Sequence, residues 1–188
     1  YGDHRDLHLS IRRQRQMCIR DRYAFYGPLQ DWMISNSALR WEFLIRYISY
    51  LFIHLSFLHT LIATVMFLAL GKMVCEFYNG LLFFLLIIVS SMCGAFFYGL
   101  ILDDQFPLIG LFPAIYGLIG AYTYISWTSL RSVGARGANA FTLVAVLLGI
   151  QIIFKMLFNG NNDWLADLFG FLAGFLFAFI IDRFFSIY

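Results

Sequence analysis

The chain has 188 residues, 61% of them hydrophobic and only 13% charged, with a formal net charge of +2 and a mean hydropathy of +0.76. A soluble domain carries about 45–50% apolar and about 25% charged residues, so a water-soluble globular enzyme or binding domain is excluded. Outside residues 1–22, which read as foreign, there is no basic stripe to release counterions from a phosphate backbone, which excludes nucleic acid as a partner.

Residues 1–22 read as foreign to the rest. Tyr1 to His8 and Arg12 to Arg22 match in-frame translations of oligonucleotides used in transposase-based sequencing libraries, with Leu9, Ser10 and Ile11 over the variable index between them. Such segments are set aside in reasoning about a fold. Without them, seven basic residues stand against eight acidic ones, and His54, His59, Cys75 and Cys93 are the remaining histidines and cysteines. Two cysteines provide neither a disulfide framework nor a Cys-x-x-Cys metal motif.

Residues 23–46 mix Trp32, Trp41 and Phe43 with Asp31, Arg40, Glu42 and Arg46. That mixture predicts an amphipathic segment in the membrane interface, its aromatics at headgroup level. Residues 47–188 predict a membrane domain. Uncharged runs cover Tyr47 to Gly71, Leu81 to Leu102, Phe106 to Leu130, Gly137 to Phe154 and Leu168 to Ile181, the last extended by Trp164, Leu165 and Ala166 across Asp167. Each approaches the roughly 20 residues that span a bilayer as a helix. Five such runs make an all-α, polytopic helical bundle.

Lys72, Arg131, Arg136 and Arg183 follow alternate runs, while Asp103, Asp104 and the stretch from Asn159 to Asp163 occupy the opposite loops. The excess of Lys and Arg marks the cytoplasmic side, with Lys155 snorkelling at the other. Gly117 and Gly120 in the third run, and Gly170 and Gly174 in the fifth, predict the closest pair of helices, because small residues let backbones approach in lipid.

Two histidines, His54 and His59, and Asp167 are the ionisable side chains within these runs. Residues five apart are rotated by about 140° on a helix, so the histidines are not expected to converge as metal ligands. No metal and no cofactor is expected. A proton-coupled transporter would show paired, interrupted helices in an inverted repeat, and none is visible.

Gly110 to Gly120, with Tyr116, Gly117 and Gly120, is similar to the Gly-x-Ser-Gly-x-x-Tyr-Gly-x-x-Gly stretch of rhomboid intramembrane serine proteases. The segment from His54 to His59 resembles that family's His-x-x-x-x-His. Ala166 to Gly174 resembles its Ala-His-x-Gly-Gly-x-x-Ala-Gly. The resemblance covers roughly Trp41 to Ile181 and implies a six-helix fold, five of whose transmembrane helices are present here, the first expected upstream of Tyr23. By the same resemblance Phe112 takes the place of the nucleophilic Ser, Pro113 that of the following Gly, Asp167 that of the base His, and Ala63 that of the oxyanion Asn; His59 is retained. The cavity would be lined by His54, His59, Phe112, Pro113, Tyr116 and Asp167. Phe112 has no nucleophilic atom, and serine acylation needs nucleophile, base and oxyanion donors together.

The resemblance therefore implies a non-catalytic pseudoprotease. Its partners would be the lipid bilayer and the transmembrane helices of client proteins, and its place a bacterial cell membrane. The alternative is an intramembrane serine endopeptidase using Ser49, Thr60, Ser90 or Ser91. The third helix is expected to start near Pro113, and Asp167 to face inward within reach of His59 or Tyr116.

Overall fold

The computed structural model describes residues 18, 20–37, 40–102, 106–158 and 162–185, with the backbone alone at 154, 155, 157, 158 and 185. Asp103, Asp104, Asn159, the side chain of Lys155 and nearly all of residues 1–22 lie outside this set, together with the expectations attached to them. From Gly27 onward the described residues form, in order, α1 Gly27–Ser35, α2 Trp41–Leu44, α3 Arg46–Ser49, α4 Phe57–Cys75, α5 Gly80–Ile101, α6 Phe112–Ser132, α7 Thr142–Phe158 and α8 Trp164–Phe185. Short 3-10 turns at Tyr50–Phe52 and Gly137–Phe141 precede α4 and α7. Among the described residues the only β pairing is one bridge between Phe25 and Leu108.

The helix starts have local causes. Ser56 is extended (φ −150°) and its hydroxyl accepts the His59 N–H at 3.2 Å, which caps α4. Asn79 does the same for α5, accepting from Leu82 N at 2.9 Å. Both caps supply an acceptor to N–H groups that have no partner within the helix. Pro113 occupies the first turn of α6, where its missing N–H removes no helical bond.

These starts correct one expected span and agree with another. The first membrane-crossing helix begins at Phe57 instead of Tyr47, whereas the third begins at Phe112, beside Pro113 as expected. Tyr47, Tyr50 and Leu51 are apolar because they enter the protein core. Tyr50 is 0% exposed and its hydroxyl donates to the Ser91 carbonyl at 2.9 Å. The segment 106–111 is held as a loop by the Phe25–Leu108 bridge and by Gly110 N donating to Tyr50 O at 3.0 Å. Apolarity alone does not distinguish lipid-facing from core-facing residues.

Helices α4, α5 and α8 are long and apolar enough to cross a membrane. Helix α6 is less apolar, since it runs through the middle of the bundle with every residue from Pro113 to Ala121 buried. Its closest neighbour is α8. A Cβ on Gly174 would meet the Gly117 carbonyl, one on Gly170 the Pro113 carbonyl, and one on Gly120 the Phe171 carbonyl. The same crowding draws in α5, where a Cβ on Gly94 would lie 2.7 Å from the Ala166 carbonyl. Helix α7 sits outside this triad and exposes Leu143, Val146, Ile150, Ile153 and Met156.

The segment before the membrane-crossing helices is anchored to the bundle. Trp41 is 71% exposed, whereas Gln30 is buried, donates through Nε2 to Phe96 O at 3.1 Å and accepts from the Tyr47 hydroxyl at 2.9 Å. Those bonds fasten α1 and α3 to α5.

Gly174→Leu is expected to lower stability by about 1–3 kcal/mol or more, because backbone atoms cannot yield to the new side chain. Gly149→Ala, with nothing within 4 Å of the added methyl, should stay within about 0.5 kcal/mol of the parent. Melting temperatures in detergent compare the two.

Candidate functional site

The site lies where the start of α4, the loop before α6 and the first turns of α6 and α8 converge. His59, in the first turn of α4, accepts the Leu55 N–H at Nδ1 (3.4 Å), which leaves Nε2 to carry the proton of a neutral imidazole. The Phe112 ring lies flat on this imidazole, with centroids 5.2 Å apart and planes inclined by 13°. Gly110 closes one edge. It has φ +106°, and an added Cβ would come within 3.0 Å of His59 Cε1. Only glycine adopts that backbone readily, and the missing side chain leaves room for the imidazole.

His54 joins from the other side, its ring 5.3 Å from that of His59 in an edge-on arrangement. This corrects the helical-rotation argument, because His54 precedes α4 and the two residues do not share one helix. Among the described residues no group of three His, Cys, Asp or Glu side chains could hold a metal ion.

Phe112 packs with Ala63, Ile115, Tyr116, Val144 and Phe171, drawing α4, α6, α7 and α8 into one apolar cluster. Asp167, in the first turn of α8, is 1% exposed. Its Oδ2 accepts from Gln151 Nε2 at 2.7 Å. Tyr116 and Tyr50 lie within electrostatic range of the carboxyl group, but the hydrogen bond comes from α7, so Gln151 replaces His59 and Tyr116 as the direct partner. Gln151 was not singled out in the sequence. The signal was available, since it is the single carboxamide in the apolar run of α7, and polar side chains inside a membrane normally face a partner.

Three of the four hydroxyls that could substitute for a nucleophile are committed elsewhere, while that of Ser90 has no hydrogen-bond partner among the described residues. Thr60 Oγ1 donates to Ser56 O at 3.0 Å, Ser91 Oγ to Ile87 O at 2.6 Å and Ser49 Oγ to Tyr23 O at 2.7 Å. The first two are the back-bonds that hydroxyls make in helices. Ser90 is fully buried on α5, packed against Gly117.

Residues 42–184 match the family model of the Rhomboid domain. The chain belongs to the rhomboid family. No curated protein matches it significantly. The match and the apolar helices make the protein an integral membrane protein.

A double-mutant cycle checks the assigned pair. Gln151→Ala and Asp167→Ala should each lower the melting temperature, with a coupling of about 0.6–1.7 kcal/mol, the range for hydrogen bonds between membrane helices. His59→Ala and Asp167→Ala should be additive, since no bond joins them.

Proposed function

We propose that this rhomboid-family protein is non-catalytic and binds transmembrane segments of membrane-protein clients. The observation that carries the reading is the flat stack of Phe112 on His59. An acylation site needs a nucleophilic oxygen within hydrogen-bond reach of a base. Here a phenyl ring fills the space beside the imidazole, and the residue at the base position accepts from a carboxamide deep in the bundle. Neutral His could take a proton from a serine hydroxyl, whereas a buried carboxyl group engaged by Gln151 is aimed elsewhere. The apolar outer face of α7 beside the Phe112 cluster offers a surface for a client helix to pack on.

The proposed orientation sets the ends of α4, α6 and α8 in the cytoplasm of a bacterial cell. Lys72 and Arg131 lie in the last turns of α4 and α6, and Arg183 in that of α8. Arg131 stacks over the Trp127 ring at 5.0 Å, which suits a cation and an aromatic at the headgroup level.

The double variant Phe112→Ser, Pro113→Gly is expected to remain inert towards a single-span model substrate in liposomes, while a photoreactive group at position 112 cross-links to that same substrate. A serine-reactive fluorophosphonate should not label the unaltered protein. Labelling abolished by one Ser→Ala change, or cleavage by the double variant, would establish the protease instead.

A further inference from the structure

Helices α7 and α8 meet through one polar pair. Gln151 Nε2 donates to Asp167 Oδ2 at 2.7 Å, while the second oxygen of each group, Asp167 Oδ1 and Gln151 Oε1, is buried and without a hydrogen-bond partner. One hydrogen shared between two leftover acceptors, on two groups that already share a bond, would satisfy both. An ionised carboxylate could not supply it, since it accepts only.

The surroundings argue against the charge. Asp163 adds a like charge from the start of α8, and Tyr116 on α6 and Tyr50 in the 3-10 turn face the carboxyl group with neutral phenols. No Lys or Arg side chain among the described residues bonds to it; that of Lys155, on α7, is outside them. The N-terminus of α8 favours an anion by about 0.3–1 kcal/mol. That is less than the several kcal/mol that an uncompensated buried ion costs.

We propose that Asp167 and Gln151 form a proton-binding site that clasps α7 to α8. The neutral Asp167 acid donates its O–H to Gln151 Oε1 while Gln151 Nε2 donates to Asp167 Oδ2, closing a cyclic acid–amide pair. The ligand is a single proton. Its loss leaves one bond, a buried charge and an orphan Gln151 oxygen, so the occupied site holds α7 more firmly than the empty one. Helix α7 is otherwise lightly held, with much of its surface outward. The site is independent of whether the protein cleaves or only binds its clients.

In the unfolded chain Asp167 ionises as a free carboxylic acid, whereas in the proposed pair its proton is held in the bond to Gln151 Oε1. Unfolding then releases a proton, and stability falls as pH rises above the unfolded value, until the folded group ionises too.

The test uses the full chain in lipid nanodiscs. An infrared difference spectrum of the parent against Asp167→Asn at neutral pH should show a carboxylic-acid C=O band belonging to Asp167. Gln151→Leu should shift that band to higher frequency as its acceptor is lost. The parent's melting temperature should fall from mildly acidic to alkaline pH, while Asp167→Asn, which keeps a neutral pair, stays flat and at least as stable at neutral pH. An ionised carboxylate band in place of the acid band overturns the proposal even if Gln151→Leu fails to fold. So does an Asp167→Asn variant as unstable as Asp167→Ala.

Discussion

Everything in this bundle depends on how closely α6 and α8 approach. Three glycines place bare Cα atoms against backbone carbonyls of the opposite helix: Gly174 on Gly117, Gly170 on Pro113 and Gly120 on Phe171. In lipid there is no hydrophobic drive between helices, and contact area with short interatomic distances supplies the attraction instead. This contact fixes the depth of Phe112 relative to Asp167, since one opens α6 and the other lies in the first turn of α8. It also leaves a groove that α5 fills with Gly94 against Ala166 and Pro113.

Around that axis the other elements are attached by polar bonds to backbone. The interfacial segment reaches α5 through Gln30, Tyr47 and Tyr50, and the loop before α6 reaches back through Gly110 and Leu108. The Gln30 amide and the Tyr50 hydroxyl donate to backbone carbonyls here, which suits a place where water is scarce. Helix α7 is the contrast. Its polar link is the Gln151–Asp167 pair, and its packing is otherwise a rim of aliphatic side chains. A rhomboid domain with a rigid α5–α6–α8 centre and a lightly fastened α7 has an obvious place to yield.

The sequence made the bundle legible because each helix carries its own uncharged run and because Gly117, Gly120, Gly170 and Gly174 are spaced to share helix faces. Pro113 marked the start of α6, but the start of α4 and the loop before α6 were harder to see. Tyr50 and Leu108 are as apolar as lipid-facing residues, and burial by neighbouring protein leaves no mark in composition. His59 and Phe112 were legible as positions, but their face-to-face stacking depends on the backbone turn at Gly110, whose positive φ is a feature of three dimensions. His54 was misjudged because the helical rotation was applied across a residue that precedes the helix. Gln151 was passed over because one amide in an apolar run carries little weight until Asp167 is seen opposite.

The buried position of α6 has a consequence for how the protein reaches the membrane. Tyr116, Thr123, Tyr124 and Thr128 make this helix the least suited of the long ones to contact with lipid, and it is not among those apolar enough to cross by hydropathy. Polar side chains weaken the partitioning that drives a nascent segment out of the translocation channel. The glycine faces that α6 needs lie on α8, which is synthesised two helices later. During synthesis, then, α6 is lodged between the strongly apolar α5 and a partner not yet made. Its final place is secured by assembly, and α8 acts as the latch that completes insertion as well as folding.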